Sequence, residues 1–476
     1  MSREIEEIYE EIEAEETYRD QISTVDQSGK RIWVYPKKPN GRFTNYRLMV
    51  AIALLLMLFA GPFISISGEP LLLFNVVERK FVFFGQVFWP QDFHLAVIGM
   101  IATVVFIILF TVVFGRIFCG WLCPQTIFME WVFRRVEYWI EGDYMKQKKL
   151  DKQPWTSEKI LKKSGKHLIF LLISALIMHT FLAYLIGIDQ LYALVASGPG
   201  EAPITFLSML IFTGLFYGVF SKLREQVCTT ICPYGRLQGV LLDRKSVVVA
   251  YDHVRGETRG KFRKDEDRVA NEKGDCIDCH QCVAVCPTGI DIRNGTQLEC
   301  VNCTACIDAC DSIMDKIGKP RGLVRYASEE NITEQKRFAF TGRMKAYSAV
   351  LVMLIGVLLT LLMIRTDLET TILRTPGMMY QERPGGAYSN LYQIKIVNKT
   401  NELLSVRFEL ISPDEGKIEL VGNAINLEGQ GIGSGAFFIV LNPSQLEGMS
   451  TEVKVGVYSG EVLMETVKTR FLGPAL

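Results

Sequence analysis

The chain has 476 residues, and its 52 lysines and arginines match 52 aspartates and glutamates, so its formal net charge is zero. This balance gives no electrostatic reason to expect a nucleic acid as partner. The length exceeds that of one ordinary core and predicts two to four units. The hydrophobic 49% of the chain is concentrated in a few apolar segments, which indicates membrane spans joined to soluble domains.

Residues 1–45 are predicted to form a solvated, cytoplasmic N-terminal arm. An acidic run begins at Glu4 and continues to Glu16. A cleavable signal peptide would instead begin with a basic patch and an apolar core. We therefore expect no signal peptide.

Five apolar stretches are long enough to cross a bilayer, namely 46–66, 94–114, 168–188, 204–220 and 347–364. Lysine and arginine are abundant before the first stretch, between the second and the third, and after the fourth, and they are sparse elsewhere. Basic loops stay on the cytoplasmic side. The pattern therefore predicts a multi-pass protein of the bacterial inner membrane, with a cytoplasmic N-terminus and a periplasmic C-terminal region.

Two cysteine pairs follow the second and fourth apolar stretches: Cys119 with Cys123, and Cys228 with Cys232. Both have the spacing C-x3-C-P, lie 109 residues apart and lead into an apolar and basic stretch, which indicates an internal duplication. The spacing predicts both thiols of a pair on one helix face. The four sulfurs could hold a third metal centre of copper, zinc or iron–sulfur, could cycle between dithiol and disulfide, or could be inert packed cysteines.

Eight further cysteines form two runs of the pattern C-x2-C-x2-C-x3-C: Cys276, Cys279, Cys282 and Cys286, then Cys300, Cys303, Cys306 and Cys310. In tandem ferredoxins the fourth cysteine of each run serves the other cluster. The pattern therefore predicts two [4Fe–4S] clusters, one on Cys276, Cys279, Cys282 and Cys310, the other on Cys286, Cys300, Cys303 and Cys306. A zinc ribbon would use two pairs of cysteines rather than eight in this register.

The last hundred residues alternate apolar and polar residues in short segments, 391–398, 404–411, 436–441, 452–458 and 465–472. About seven such strands predict an immunoglobulin-like β-sandwich, which would be a packing or docking module. No cysteine follows Cys310, so the region placed on the oxidising side contains none.

The fold class predicted from these segments is a polytopic α-helical membrane protein of about five transmembrane helices. It carries a cytoplasmic bacterial-type 2[4Fe–4S] ferredoxin domain and a C-terminal immunoglobulin-like β-sandwich. The predicted domains are the arm (1–45), four transmembrane helices with the two C-x3-C-P repeats (46–245), the ferredoxin-like domain (246–345), a fifth transmembrane helix (346–366) and the periplasmic sandwich (367–476).

The motifs GRIFCGWLCPQT (115–126), IEGD (140–143) and CPYGRLQ (232–238) resemble those of the CcoG family, also called RdxA or FixG, over nearly the whole chain. The resemblance implies maturation of cbb3-type cytochrome c oxidase by reduction of Cu(II) to Cu(I). Our leading hypothesis places this reduction at Cys119, Cys123, Cys228 and Cys232, as catalytic and metal-binding cysteines. The implied partners are the oxidase assembly machinery or a copper chaperone or transporter. The electron donor is unknown, and the chain could form a homodimer.

Two other functions remain open at this stage. The chain could be a quinol-linked electron-transfer subunit that feeds another reductase, as in NapH-like and NosR-like proteins, which share the paired C-x3-C-P motifs and generally lack the C-terminal domain. It could also be a non-catalytic assembly scaffold for the oxidase. His94 and His179 lie in predicted spans and could bind a haem, although hydrogen bonding is the role we prefer.

Overall fold

The computed structural model describes residues 23–26, 28–66, 68–263, 266–268, 270–377, 379–400 and 402–474. Residues 1–22 of the predicted N-terminal arm therefore lie outside the described residues. The chain forms two compact units. The first contains the residues up to Ile64, Pro70–Lys80 and Asp92–Gly356, and the second contains Ser65–Glu69, Phe81–Gln91 and Val357–Leu476.

Within the described residues, five helices are long and apolar enough to cross a membrane, which confirms the five predicted spans. The first is α1, after which Gly61 and Pro62 end the regular helix. Five short strands that the sequence did not predict separate it from α2, the second span. The bounds are α1 Arg42–Ala60, β1 Ser65–Ile66, β2 Glu69–Pro70, β3 Leu72–Asn75, β4 Lys80–Phe83, β5 Gln86–Phe88 and α2 Phe93–Phe114.

Short helices connect the second span to the third. Gly115 turns the chain after α2 with a φ of 57°, which glycine adopts without strain. A π-helical segment, Phe128–Phe133, joins α4 to α5, and its Phe133 stacks on Phe220 with ring centroids 4.5 Å apart. The helices are α3 Ile117–Trp121, α4 Pro124–Ile127, α5 Arg134–Ile140 and α6 Tyr144–Lys152.

The third span, α7, begins eleven residues earlier than predicted, at Ser157 rather than 168. Its extra turns carry lysines whose charges are paired: Lys163 and Lys166 each lie 2.9 Å from Glu141. The helix that follows it, α8, was not predicted from the sequence. The bounds are α7 Ser157–Ile186, α8 Ile188–Ser197, α9 Pro203–Gly218 with π-helical turns at Val219–Leu223 and Val227–Ile231, and α10 Pro233–Leu241.

The ferredoxin-type segment is framed by an antiparallel strand pair in which Val248 lies opposite Ala327. Its two cysteine loops each run into a helix that packs on the same apolar core. The elements are β6 Val248–Tyr251, α11 His253–Gly256, α12 Gln281–Ala284, α13 Ala305–Lys316, β7 Val324–Ala327, α14 Glu329–Thr333 and the fifth span, α15 Gly342–Met363.

The C-terminal strands form the predicted sandwich. One sheet has the order β12-β14-β10-β8 with β9 beside β10, and the other has the order β13-β11-β15-β16. Tyr392, Phe437, Ile439 and Val455 are fully buried between them, because alternate residues of a strand face one side. The strands are β8 Leu368–Arg374, β9 Gln381–Glu382, β10 Tyr388–Asn398, β11 Leu404–Ser412, β12 Lys417–Val421, β13 Ile425–Leu427, β14 Ile432–Leu441, β15 Ser450–Ser459 and β16 Val462–Leu472.

Candidate iron–sulfur and thiol site

The eight ferredoxin cysteines line two cavities in the first unit. Pocket A is bordered by Cys276, Cys279, Cys282 and Cys310 together with apolar residues such as Ile313. Pocket B is bordered by Cys286, Cys300, Cys303 and Cys306, and also touches Cys282. Each pocket therefore combines three cysteines of one run with the last cysteine of the other.

The two cysteine loops have the same backbone shape. Asp278 and His280 in the first loop, and Asn302 and Thr304 in the second, all have φ between 52° and 62°. Asp and Asn tolerate this left-handed conformation better than most residues. These residues occupy equivalent positions in the two runs, so the sequence repeat is also a repeat of backbone geometry.

The donor chemistry of both pockets suits a cubane cluster. No three histidine, cysteine or carboxylate side chains of the described residues converge closely enough to hold a single metal ion. A tetrahedral zinc site needs that convergence because each Zn–S bond is only about 2.3 Å long. A [4Fe–4S] cluster spreads four thiolates over four iron corners, and four thiols around an apolar cavity match that requirement.

Burial keeps these thiols protonated without metal. It raises the pKa of Cys282, Cys300 and Cys310 to about 12 and that of Cys303 to about 11. Iron binds the thiolate rather than the thiol. Cluster insertion must therefore displace protons from groups that hold them tightly.

The C-x3-C-P pairs do not place both thiols on one helix face, so that prediction is wrong. Cys119 lies in α3, but Cys123 is extended, with ψ 124°, and begins α4. Cys228 lies in a π-helical turn, and Cys232 is likewise extended, with ψ 114°. Each second cysteine precedes a proline, which disfavours helical backbone at that residue.

One cysteine of each pair lies beside pocket B. Cys119 and Cys228 pack against a buried cluster that contains Val301 and Cys303, with Cys306 also in contact. The Cys119 thiol donates to Oε1 of Gln238 at 3.3 Å. Burial raises the pKa of Cys119 to about 11 and that of Cys228 to about 12, and neighbouring thiols of the four add to both shifts. The structure thus places Cys119 and Cys228 at the border of pocket B.

Gly120 allows this close approach. A Cβ at this position would lie 2.5 Å from the carbonyl oxygen of Val301 and 2.8 Å from that of Asn302. Both neighbours are backbone atoms of the loop that borders pocket B. The first C-x3-C-P motif therefore packs backbone to backbone on the ferredoxin loop.

Two buried arginines that the sequence analysis counted only as topology signals also lie here. Arg47 donates from Nε to the Gly120 carbonyl oxygen at 3.0 Å, and Arg116 donates from Nη1 to that of Leu298. The position of Arg116, three residues before Cys119, could have indicated a role at the thiol motif, because an arginine close to the membrane surface can do more than set the orientation of a span.

A buried ion-pair network lies near the second cysteine pair. Arg224 binds both carboxylate oxygens of Glu137, at 2.7 and 2.9 Å, and Arg134 lies 2.6 Å from Glu130 and 3.5 Å from Glu225. A third cavity connects Cys228 with Glu130, Glu225 and the residues after Cys286. Because each of these carboxylates has a cationic partner, the network has no evident excess of negative charge.

The two membrane histidines have different surroundings. His94 is exposed. His179 is half-buried, and its Nδ1 lies 2.7 Å from the Ala175 carbonyl oxygen of its own helix. Nδ1 of His179 is therefore engaged in a hydrogen bond within its own helix.

Family models match three regions of the chain. One described as a 4Fe–4S dicluster domain matches residues 223–329, and one described as a 4Fe–4S binding domain matches residues 96–144. The third, an Ig-like fold at the C-terminus of FixG, matches residues 358–474. These matches confirm the predicted ferredoxin-type and immunoglobulin-like parts of the fold.

Several similar proteins align over much of the chain. Nitrogen fixation protein FixG of Rhizobium meliloti (strain 1021) is 36% identical over 66% of this chain and 60% of its own length. Protein RdxB of Cereibacter sphaeroides is 34% identical over 83% of this chain and 85% of its own length. Protein RdxA of the same organism is 34% identical over 78% of this chain and 80% of its own length.

Proposed function

The chain belongs to the FixG/RdxA family of membrane iron–sulfur proteins, and from that premise we propose that it transfers single electrons through the ferredoxin pockets to the C-x3-C-P cysteines. The observation that carries the proposal is the packing of Cys119 and Cys228 against the loop of Cys303 and Cys306. Electron transfer is faster between redox centres that lie close together, and this contact would bring the two cysteine systems close to each other.

For the clusters we assign one ligand set to each pocket: Cys276, Cys279, Cys282 and Cys310 in pocket A, and Cys286, Cys300, Cys303 and Cys306 in pocket B. The lining of the cavities supports the assignment. When bound, a [4Fe–4S] cluster supplies one-electron redox chemistry. The thiols hold it, and apolar neighbours such as Ile292 and Leu323 exclude water.

As electron acceptor we propose Cu(II), reduced to Cu(I) at Cys119, Cys123, Cys228 and Cys232 for assembly of the copper site of a cbb3-type oxidase. One electron from the reduced protein converts one Cu(II) to one Cu(I), so the step balances without a further reactant. Cu(I) prefers soft thiolate ligands. Because no three of the described side chains converge on one metal position, we propose that two of the four thiols bind it at a time. The cysteines would therefore bind the product more strongly than they bind the substrate.

For the orientation we propose that both pockets face the cytoplasm and that the sandwich is periplasmic, in the inner membrane. The support is the distribution of lysine and arginine between the spans. Within the first unit, Thr44 at the start of α1 is hydrogen-bonded to Asp308 of the ferredoxin segment. If this end of α1 faces the cytoplasm, the ferredoxin segment therefore faces the cytoplasm as well.

The test is iron analysis and EPR of anaerobically purified protein, followed by titration with Cu(II). We expect about eight irons per chain and reduced-cluster signals that Cu(II) removes. Cys119→Ser and Cys232→Ser should slow Cu(II) reduction, whereas the neighbouring Thr230→Ser should not. About twelve irons would instead indicate a third cluster on the four C-x3-C-P cysteines.

Three results would contradict the proposal. Wild-type rates of Cu(II) reduction in both serine variants would show that the C-x3-C-P cysteines take no part in the reduction. Little iron together with stoichiometric zinc would show that the protein is not an iron–sulfur electron carrier. Reduction of the protein by quinol with no response to Cu(II) would point to another acceptor.

A further inference from the structure

Tyr251 is the last residue of β6 and lies at the border of pocket A. The residue is 5% exposed, and it packs in the same apolar cluster as Cys276. Its hydroxyl group is buried and has no hydrogen-bond partner among the described residues. A buried hydroxyl group without a partner is destabilising. A hydroxyl group held in this position therefore indicates that an acceptor lies in the pocket of the functional protein.

Backbone contacts place this hydroxyl group beside Cys276. A Cβ at Gly256 would lie 2.2 Å from Oη of Tyr251, so the hydroxyl group lies directly against the backbone of Gly256. The carbonyl oxygen of Gly256 accepts a hydrogen bond from the backbone amide of Cys276 at 3.3 Å. Gly256 therefore contacts both residues, and its missing Cβ leaves the space that the hydroxyl group fills.

Arg268 fixes the main chain of Cys276. Its side chain is buried, and Nη2 donates to the carbonyl oxygen of Cys276 at 2.9 Å. Nε of the same side chain donates to the carbonyl oxygen of Gly274, and Nη1 donates to that of Gly260. All of these bonds end on main-chain oxygens. They therefore hold Cys276 in place and leave its sulfur available as a ligand of iron and as a hydrogen-bond acceptor.

Two cysteines of pocket A differ in their access to water. Cys279 is exposed, whereas Cys276 is buried. Water can donate a hydrogen bond to the sulfur of Cys279 but not to that of Cys276. Hydrogen bonds to the sulfurs are among the features that set the reduction potential of an iron–sulfur cluster. The hydroxyl group of Tyr251 can supply at Cys276 the donor that water cannot.

We propose that Tyr251 donates a hydrogen bond from Oη to the iron-bound Sγ of Cys276 and so raises the reduction potential of the cluster in pocket A. Reduction adds one negative charge and makes the sulfurs stronger acceptors, so the bond stabilises the reduced form more than the oxidised form. Tyr251 is a positioning residue that acts through the ligand and takes up no electron itself. The inference rests on the cluster assignment proposed above.

Glu257 is a competing acceptor, because it follows Gly256 directly in the chain. Its Oε1 accepts a hydrogen bond from Nε of Arg259 at 2.7 Å, and its side chain is 38% exposed. The carboxylate therefore has a cationic partner and access to water without Tyr251. The two acceptors can be told apart, because only a bond to the sulfur acts on the cluster directly.

The experiment is an EPR-monitored redox titration of the full-length, iron-loaded protein. Tyr251→Phe keeps the ring and removes only the hydroxyl group. We expect it to weaken reduction of one cluster about tenfold, a downward shift of about 59 mV for one electron. The other midpoint and the iron content should stay unchanged. Cys279→Ser replaces a proposed ligand of pocket A, and the EPR signal that it alters identifies the midpoint of that pocket.

Tyr326→Phe is the matched control. Tyr326 lies on β7, the strand paired with β6. Its hydroxyl group accepts a hydrogen bond from Nε1 of Trp121 at 3.1 Å and donates one to the carbonyl oxygen of Asn302 at 3.4 Å. Because these partners are not sulfur atoms, the removal of this hydroxyl group should move neither midpoint.

Two further variants complete the test. Tyr251→Phe should lower the midpoint by the same amount when it is combined with Glu257→Ala, and a shift that vanishes there would overturn the inference in favour of the carboxylate. If Tyr251→Phe fails to incorporate iron, 3-fluorotyrosine placed at position 251 decides. Its hydroxyl group is more acidic and a stronger donor, so the midpoint of pocket A should rise.

The remaining outcomes separate this inference from the proposed function. An unmoved midpoint of pocket A in these two variants at position 251, or an equal fall of both midpoints in Tyr251→Phe, overturns the role of the hydroxyl group alone. Absence of [4Fe–4S] signals from the wild type would instead refute the proposed function itself.

Discussion

Gly120→Ala is the substitution whose effect follows most directly from the structure. The added Cβ would lie 2.5 Å from the Val301 carbonyl oxygen, whereas an ordinary carbon–oxygen contact is about 3.4 Å. Either α3 or the loop of pocket B must therefore move by about 0.9 Å. Both groups in contact are backbone, so no side-chain rotation can relieve the clash.

Three effects decide the sign of the change in stability. Overpacking costs about 1–3 kcal/mol. A shift of this size would also break the 3.0 Å hydrogen bond from Arg47 to Gly120, which is worth about 1.5–3 kcal/mol because its donor is charged. The better helix propensity of alanine returns about 1 kcal/mol. We therefore expect a net loss of about 1.5–5 kcal/mol.

Thermal unfolding in detergent and iron content per chain measure this loss. Gly120→Ala should lower the unfolding temperature and reduce the iron recovered, because the pocket B loop is displaced. Gly165→Ala is the matched control, since Gly165 is also helical and a Cβ there meets no atom within 4 Å. An unchanged unfolding temperature and full iron content in Gly120→Ala would refute the proposed close packing of α3 on this loop.

Three further predictions concern buried charge, pH and the sandwich. Arg224→Met should destabilise the first unit by about 3 kcal/mol because it removes the bidentate partner of the buried Glu137 and leaves only Lys166, 3.7 Å away. The double variant with Glu137→Leu should lose much less, and thermal unfolding of the single and the double variant checks this. Burial alone would raise the pKa of Glu137, but Arg224 and Lys166 outweigh it and lower the pKa below its ordinary value. The stability that Glu137 contributes is therefore fully present at a pH above the pKa of Glu137 in the unfolded chain. It is lost as the pH falls through the lower pKa of Glu137 in the folded protein. Unfolding temperatures measured from neutral to acid pH should show this loss, and Glu137→Gln should reduce it. Phe437→Ala removes a fully buried ring of the sandwich and should cost about 3–5 kcal/mol without changing iron content, whereas the exposed Leu403→Ala should change neither.

The parts of the fold that the sequence predicts are those governed by local pattern. The spans follow from runs of apolar residues, the ferredoxin loops from cysteine spacing, and the sandwich strands from alternation. The start of α7 could not be predicted in this way, because its lysines look too polar for a span until Glu141 is seen to pair with Lys163 and Lys166. Pairing between distant residues is invisible to a local pattern.

The candidate site shows the same division. The eight cysteines around the pockets could be identified from spacing, but the roles of Arg47 and Arg116 could not. In the sequence, each arginine simply flanks a membrane span. Its burial depends on contacts with distant residues: Arg47 bonds a residue 73 positions away, and Arg116 bonds one 182 positions away. Their sequence signal is weak because flanking arginines of membrane spans usually serve the positive-inside rule.

The two C-x3-C-P motifs repeat in sequence and in part of their backbone, since the amides of Cys123 and Cys232 each donate to the carbonyl oxygen five residues earlier, of Phe118 and Val227. Each second cysteine is extended for the same local reason, the proline that follows it. The first cysteines differ: Cys119 lies in an α-helix whose Gly120 touches the pocket B loop, whereas Cys228 lies in a π-helical turn. The two halves therefore share the chemistry that their sequence dictates and differ where tertiary contacts act. We accordingly expect Cys119→Ser to impair electron transfer from pocket B more than Cys228→Ser does, although both cysteines occupy the same place in the repeat.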